Sequence, residues 1–200
     1  QKIRGRYITS IFQEPMTSLN PLHTVEKQIN EILMLHNPIN FKEATKITLK
    51  LLNQVGLSEL NTRLKSFPHE LSGGQRQRVM IAMSIANKPM LLIADEPTTA
   101  LDVTIQLQIL DLLKSIQKEM KMAMLFISHN LAVVKKIADF VCIMKDGLIV
   151  EQNSIEEIFT NPQSEYTKKL IQSEAKTKIE IKEKNSNILK VSDLVWILIP

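Results

Sequence analysis

Apolar positions change period several times along the chain. Tyr7-Ile8-Thr9-Ser10-Ile11-Phe12 is a short β-like run. From residue 22 to 70 the spacing turns helical. Val25, Ile29, Ile32 and Leu33 share one face, and Phe41, Ala44, Leu51, Leu52 and Val55 form a stripe over 41–55. That second helix carries its own punctuation: Asn40 as N-cap, Glu43 as capping-box partner, and Gly56 just past the end. A third amphipathic run, Val79, Ile81, Ala82, Met83, Ile85 and Ala86, stops at Asn87-Lys88-Pro89. Two continuous apolar runs, Met90 to Ala94 and Met122 to Ile127, read as buried strands. Between them lies a helix with the face Ile105, Ile109, Leu112, Leu113 and Ile116, which Asp102 can N-cap. Apolar strands alternating with amphipathic helices predict an α/β fold.

The end of the chain changes character. Phe140 to Met144, Lys145-Asp146-Gly147, and Leu148 to Val150 predict a hairpin, because Asp-Gly is a strong tight-turn signal. Ser154 and Glu157 can form a capping box for a helix through Phe159. Residues 173–187 alternate Lys and Glu and read as a solvated linker or a frayed helix. Ile188 to Trp196 is strand-like again.

Composition narrows the classes. A hydrophobic content of 44% supports a sizeable core in 200 residues. The balance of 25 Lys and Arg against 21 Asp and Glu gives +4, and the only basic clusters are Arg76/Arg78 and Lys135/Lys136, so no nucleic-acid partner is expected. The single cysteine, Cys142, sits in an apolar run and is expected to be a buried core thiol. No apolar stretch is of membrane-spanning length.

The chemistry is concentrated at element ends. Leu71-Ser72-Gly73-Gly74-Gln75 opens a helix, where unpaired backbone N–H groups meet the positive end of the helix dipole and attract phosphate. The strand from Met90 delivers Asp95 and Glu96 to its carboxyl end, which is where ligands bind in an open α/β sheet. Asp95 suits a Mg²⁺ shell, and Glu96 is placed to orient and polarise an attacking water. Taken singly, Ser-Gly-Gly reads as an ordinary loop and Asp-Glu as a turn cap. Their order and spacing favour the chemical reading.

These residues together resemble the ABC ATPase family. Leu71 to Gln75 matches the signature, Met90 to Glu96 the Walker B strand with its catalytic glutamate, and Ala100-Leu101-Asp102 the D-loop. The resemblance extends outward. Phe12-Gln13-Glu14-Pro15-Met16 is similar to the Q-loop, and it implies that Gln13 contributes an amide oxygen to Mg²⁺. Ser128-His129-Asn130 resembles the H-switch, which implies that His129 meets the γ-phosphate and the attacking water; Asn130 departs from the usual Asp. The family likeness gives Ser72, Gly73, Gly74, Gln75 and Asp102 a place at the nucleotide as well. Thr17-Ser18-Leu19-Asn20-Pro21 and Asn161-Pro162-Gln163 resemble the oligopeptide, dipeptide and nickel importer branch, although Ser164-Glu165 replaces the usual His-Pro.

The resemblance implies an incomplete P-loop NTPase core with a mostly parallel sheet and a helical subdomain. Residues 1–20 would end a core segment with the Q-loop, 21–72 form the helical subdomain, and 73–151 the core. Residues 152–172 would be the importer-type C-terminal segment, 173–187 a linker, and 188–200 the start of a second module. No G-x-x-x-x-G-K-[ST] occurs, so the Walker A loop is expected upstream and the chain is expected to be truncated at both ends. The implied cofactors are ATP and Mg²⁺. The implied partners are a second ABC module, in the same chain or in a dimer, transmembrane permease subunits, and indirectly an extracytoplasmic solute-binding protein. The expected location is peripheral, at the cytoplasmic face of the inner membrane. A catalytically silent remnant and a soluble ABC ATPase outside transport stay open as alternatives.

Overall fold

The computed structural model describes residues 3–13, 18–99, 101–180 and 195–199. The chain divides into two units, residues 1–124 and 125–200. In the first unit, β1 (Ile8–Ile11) pairs in parallel with β2 (Leu91–Asp95), Ile8 opposite Leu91 and Ile11 opposite Ala94. The Tyr7 carbonyl extends this ladder by accepting from the N–H groups of Met90 and Leu91, at 2.9 and 3.0 Å.

Between these strands lie α1 (Val25–His36), α2 (Phe41–Gln54), two short 3₁₀ turns (Ser58–Thr62 and Pro68–Glu70) and α3 (Gly73–Ile85). The predicted α2 caps are present: Asn40 Oδ1 accepts from Glu43 N–H, and Glu43 Oε2 accepts from Asn40 N–H, both at 3.0 Å. Gly56 follows at φ +74°, a conformation that favours glycine. Val25, Ile29 and Leu33 of α1 and Ala44, Leu51 and Leu52 of α2 are buried, as the periodicity predicts. Phe41 is not: at 50% exposure it stands at the first turn of α2, beyond the apolar seam. A polar network ties the two helices together. Thr48 Oγ1 donates to Asn30 Oδ1 at 2.6 Å, Asn30 Nδ2 donates to Thr45 Oγ1 at 3.0 Å, and Thr45 Oγ1 donates to Glu26 Oε1 at 2.7 Å. Asn30 and Thr48 are fully buried, so these bonds replace the water both side chains lose.

After β2 comes α4 (Val103–Met120), with Ile109, Leu110, Leu113 and Ile116 buried. Asp102 caps it, accepting from the N–H groups of Thr104 and Ile105 at 3.1 and 3.0 Å. Lys121 ends it in the left-handed region at φ +52°. The unit boundary falls inside β3 (Ala123–Ser128), where Met124 and Phe126 are fully buried.

The second unit holds α5 (Leu131–Ile137), β4 (Phe140–Lys145), β5 (Leu148–Ser154), α6 (Ile155–Thr160), α7 (Glu165–Glu180) and β6 (Val195–Ile199). β4 and β5 form the predicted antiparallel hairpin, with Asp146 at φ +51° and Gly147 at φ +79°. Two positive φ values are what a tight turn of the strands' own twist requires. Strand alternation points Val141 and Ile143 inward and Cys142 to the other face, so the thiol is half-buried rather than in the core. The Ser154 cap is present as one bond, from Glu157 N–H to Ser154 Oγ at 3.3 Å. The Lys/Glu stretch is helical through Glu180, and residues 181–187 lie outside the described residues. The strand-like C-terminal segment is described only over Val195–Ile199, which is a strand pairing antiparallel with β4, Cys142 opposite Trp196. No helix among the described residues is long and apolar enough to cross a membrane.

Candidate functional site

β2 ends in an acidic pair because its apolar residues point alternately into the core. Leu92 and Ala94 are fully buried, and Asp95 closes the strand. Glu96 then turns the chain with φ +44°, a left-handed conformation that costs a β-carbon-bearing residue ~1–3 kcal/mol. The turn is held on all sides. Thr99 N–H donates to Glu96 O at 3.1 Å, and Pro97 presets the next φ. The Glu96 carboxylate is buried, and its Oε2 accepts from Gln13 Nε2 at 2.8 Å and from Thr99 Oγ1 at 2.9 Å. Gln13 reaches it from just past the end of β1, which parallel pairing with β2 brings to the same sheet edge.

Burial, and then the charge of neighbouring Glu96, raise the Asp95 pKa above its usual value. Two adjacent carboxylates at a strand end make a negative site that a divalent cation would relieve. Since Gln13 uses its NH₂ on Glu96, its amide oxygen is the atom suited to a cation. Among the described residues no group of ≥ 3 His, Cys, Asp or Glu forms a metal cage. The fit is to a magnesium-type ion, which takes one or two carboxylates and fills its shell with water and phosphate oxygens.

The Ser-Gly-Gly turn forms the N-terminus of α3. Ser72 Oγ accepts from Gln75 N–H at 3.2 Å, and Gln75 Oε1 accepts from Ser72 N–H at 2.9 Å. Gln75 Nε2 donates to Glu59 Oε1 at 3.2 Å, so this side chain serves its own helix and the 3₁₀ turn at Ser58–Thr62. The first turn-closing bond of α3 runs from Arg76 N–H to Ser72 O at 2.9 Å. The N–H groups of Gly73 and Gly74 precede it and lack a helical acceptor. A β-carbon on Gly73 would meet Leu101 Cδ2 at 3.7 Å, and one on Gly74 would meet Ile105 Cγ2 at 3.0 Å. The turn therefore packs against the segment around Asp102.

Three polar side chains escaped the sequence reading. Thr99 is a second donor to Glu96. Gln77 Nε2 donates to Pro97 O at 2.6 Å, and Gln106 Nε2 donates to Thr98 Oγ1 at 3.1 Å. Gln77 left a signal: it shares a helix face with Ile81, Ser84 and Ile85, where a polar residue must find a buried partner. His129 stands in the second unit, exposed beyond β3. Asn130 next to it caps α5, accepting from the N–H groups of Ala132 and Val133 at 2.9 and 3.2 Å. Asn and Asp cap equally well, so replacement of the usual Asp leaves this helix start intact.

Residues 1–99 match the family model described as ABC transporter. A peptidoglycan transport ATP-binding protein, YejF, of Agrobacterium fabrum is 62% identical over 174 residues, 87% of this chain and 32% of the relative. The oligopeptide transport ATP-binding protein OppD of Bacillus subtilis is 52% identical over 173 residues, 86% of this chain and 48% of the relative. The chain thus spans about a third to a half of the length of these curated relatives. Among solved structures, the ATP-binding cassette MJ0796, in a dimeric post-hydrolysis state bound to ADP and Pi, aligns with a TM-score of 0.65 at 31% identity. It covers 77% of this chain and 65% of its own.

Proposed function

The chain belongs to the ABC transporter ATPase family, in its peptide-importer branch, and we propose that it is part of an ATP-hydrolysing subunit that powers uptake of peptides or similar small solutes. The observation that carries the reading is the held Glu96. A glutamate in a left-handed turn, buried, and fixed by Gln13 and Thr99 is oriented before any substrate arrives. Such a carboxylate can accept a proton from an attacking water, or align it, at the strand end where the γ-phosphate would lie. Mg²⁺, when bound, would neutralise phosphate charge there, held by Asp95 and the Gln13 amide oxygen. Gln13 contacts Glu96 directly, so movement of its loop would alter the carboxylate's hydrogen bonding.

The N–H groups of Gly73 and Gly74, with Ser72 and Gln75 fixing their helix start, suit the phosphates of a nucleotide held by a second module. In a head-to-tail pair His129 and Asp102 would complete the nucleotide's surroundings. The dimeric state of the related cassette supports such a pairing. The module would sit peripherally at the cytoplasmic face of the inner membrane, with α1 and α2 against permease subunits that an extracytoplasmic solute-binding protein serves. The relatives' greater length and the Ile188 to Trp196 pattern support a second module in the same polypeptide.

The test is Glu96→Gln in the intact protein. Nucleotide binding should persist, turnover should fall at least a hundredfold, and ATP should trap a closed dimer. Wild-type turnover by this variant would remove Glu96 from the chemistry.

A further inference from the structure

Gln77 is a buried glutamine, 2% exposed, on the inner face of α3, one turn beyond Gly73 and Gly74. Its amide donates to the carbonyl of Pro97 at 2.6 Å, across a buried bond. Pro97 directly follows Glu96, whose left-handed φ and buried carboxylate define the proposed water-activating turn. Thr99, Gln106 and Gln13 also restrain that turn, from within it or from other elements. Gln77 adds a restraint from α3.

We propose that Gln77 is a positioning residue that fixes the Glu96 turn to the helix whose N-terminus meets phosphate. The inference rests on the catalytic reading of Glu96. A peptide plane pinned at the Pro97 oxygen limits ψ of Pro97, and Pro97 already limits its own φ. The strained Glu96 is then left with little freedom to relax. In a head-to-tail pair, Gly73 and Gly74 attend one nucleotide and Glu96 the other. Gln77 would join the two sites inside one chain, so that a shift of α3 on meeting one nucleotide displaces the carboxylate beside the other.

The experiment uses the intact protein. Gln77→Met keeps length and shape but removes the donor. A positioning role lowers kcat at least tenfold and leaves KM for ATP within about twofold, because the lost contact acts in the transition state. The second readout is a double-mutant cycle with Glu96→Gln. If Gln77 acts through Glu96, then Gln77→Met costs nothing further in residual single-turnover hydrolysis once Glu96 is replaced. A merely structural Gln77 would lower both backgrounds by the same factor, and that result overturns the proposal. So does wild-type kcat in a folded Gln77→Met protein. Should Gln77→Met not fold, Gln77→Leu, which also lacks a donor and buries no charge, is carried through the same cycle and decides. Wild-type turnover by Glu96→Gln alone would remove the catalytic reading and this inference with it. A dead Glu96→Gln beside fully active Gln77 variants would remove this inference alone.

Discussion

Replacing Gly73 by Asp separates folding from function at the signature turn. Gly73 lies at the first position of α3, outside the left-handed region, and a β-carbon there meets its nearest neighbour, Leu101 Cδ2, at an ordinary 3.7 Å. Removing glycine from a position any residue can adopt stabilises by ~0.4–1 kcal/mol, through the unfolded chain. A carboxylate in the first turn of a helix gains a further ~0.3–1 kcal/mol from the dipole. Together these give about 1–2 kcal/mol, which for a domain of this size is a rise of roughly 2–8 °C in Tm. If the Gly73 and Gly74 N–H groups meet phosphate as proposed, the same carboxylate would stand in the path of the phosphate oxygens and repel them. Turnover should therefore fall at least tenfold in a protein that melts higher. Gly74→Ala is the packing control. Its β-carbon would lie 3.0 Å from Ile105 Cγ2, so Ile105 must yield by a few tenths of an ångström, which works against the entropic gain. Scanning calorimetry and steady-state ATPase on the intact protein give both quantities. A raised Tm with unchanged turnover would refute the phosphate role of the turn. A lowered Tm for Gly73→Asp would show that the helix start is misdescribed.

Two other outcomes test the packing and electrostatics. Thr48→Val removes the donor to Asn30 Oδ1 and leaves that oxygen buried, so thermal unfolding should show a loss of ~1–3 kcal/mol; a loss under about 0.5 kcal/mol would mean the α1–α2 network is not closed as described. Glu151 accepts from the N–H groups of Gln163 and Ser164 at 2.8 and 2.9 Å; burial pushes its pKa up, but these bonds outweigh it and hold the carboxyl below its usual value of 4.5. A depressed folded pKa means stability that is present above 4.5 and lost as pH falls through the lower folded value. Glu151→Gln should accordingly flatten the acid limb of the unfolding profile below pH 4.5, and an unchanged limb would contradict the assignment.

Local chemistry made much of this protein legible before any tertiary structure. The helix starts at Asn40, Ser72, Asp102 and Ser154 and the Asp146-Gly147 turn each depend on residues a few positions apart, whose geometry the chain cannot avoid. The apolar runs around Leu92 and Phe126 form strands as expected, although burial alternates along β2, with Leu92 and Ala94 fully buried and Leu91 and Ile93 half-buried. The places of the acidic pair at the end of β2 and of the glycine turn at the start of α3 were legible because local punctuation sets where an element begins and ends.

Tertiary packing decided the rest. Phe41 belongs to an apolar stripe by spacing, yet it is 50% exposed while Ala44 in the same turn is fully buried. Cys142 sits in an apolar run, but strand alternation turns it away from Val141 and Ile143. The left-handed φ of Glu96 and its grip by Gln13, 83 residues distant, require β1 and β2 to lie side by side first. The bond from Gln77 to Pro97 likewise exists only once α3 has packed on the end of β2. A helix cap is fixed by what one turn of chain can reach, whereas a buried polar partner is fixed by whichever distant segment the closed core brings to it.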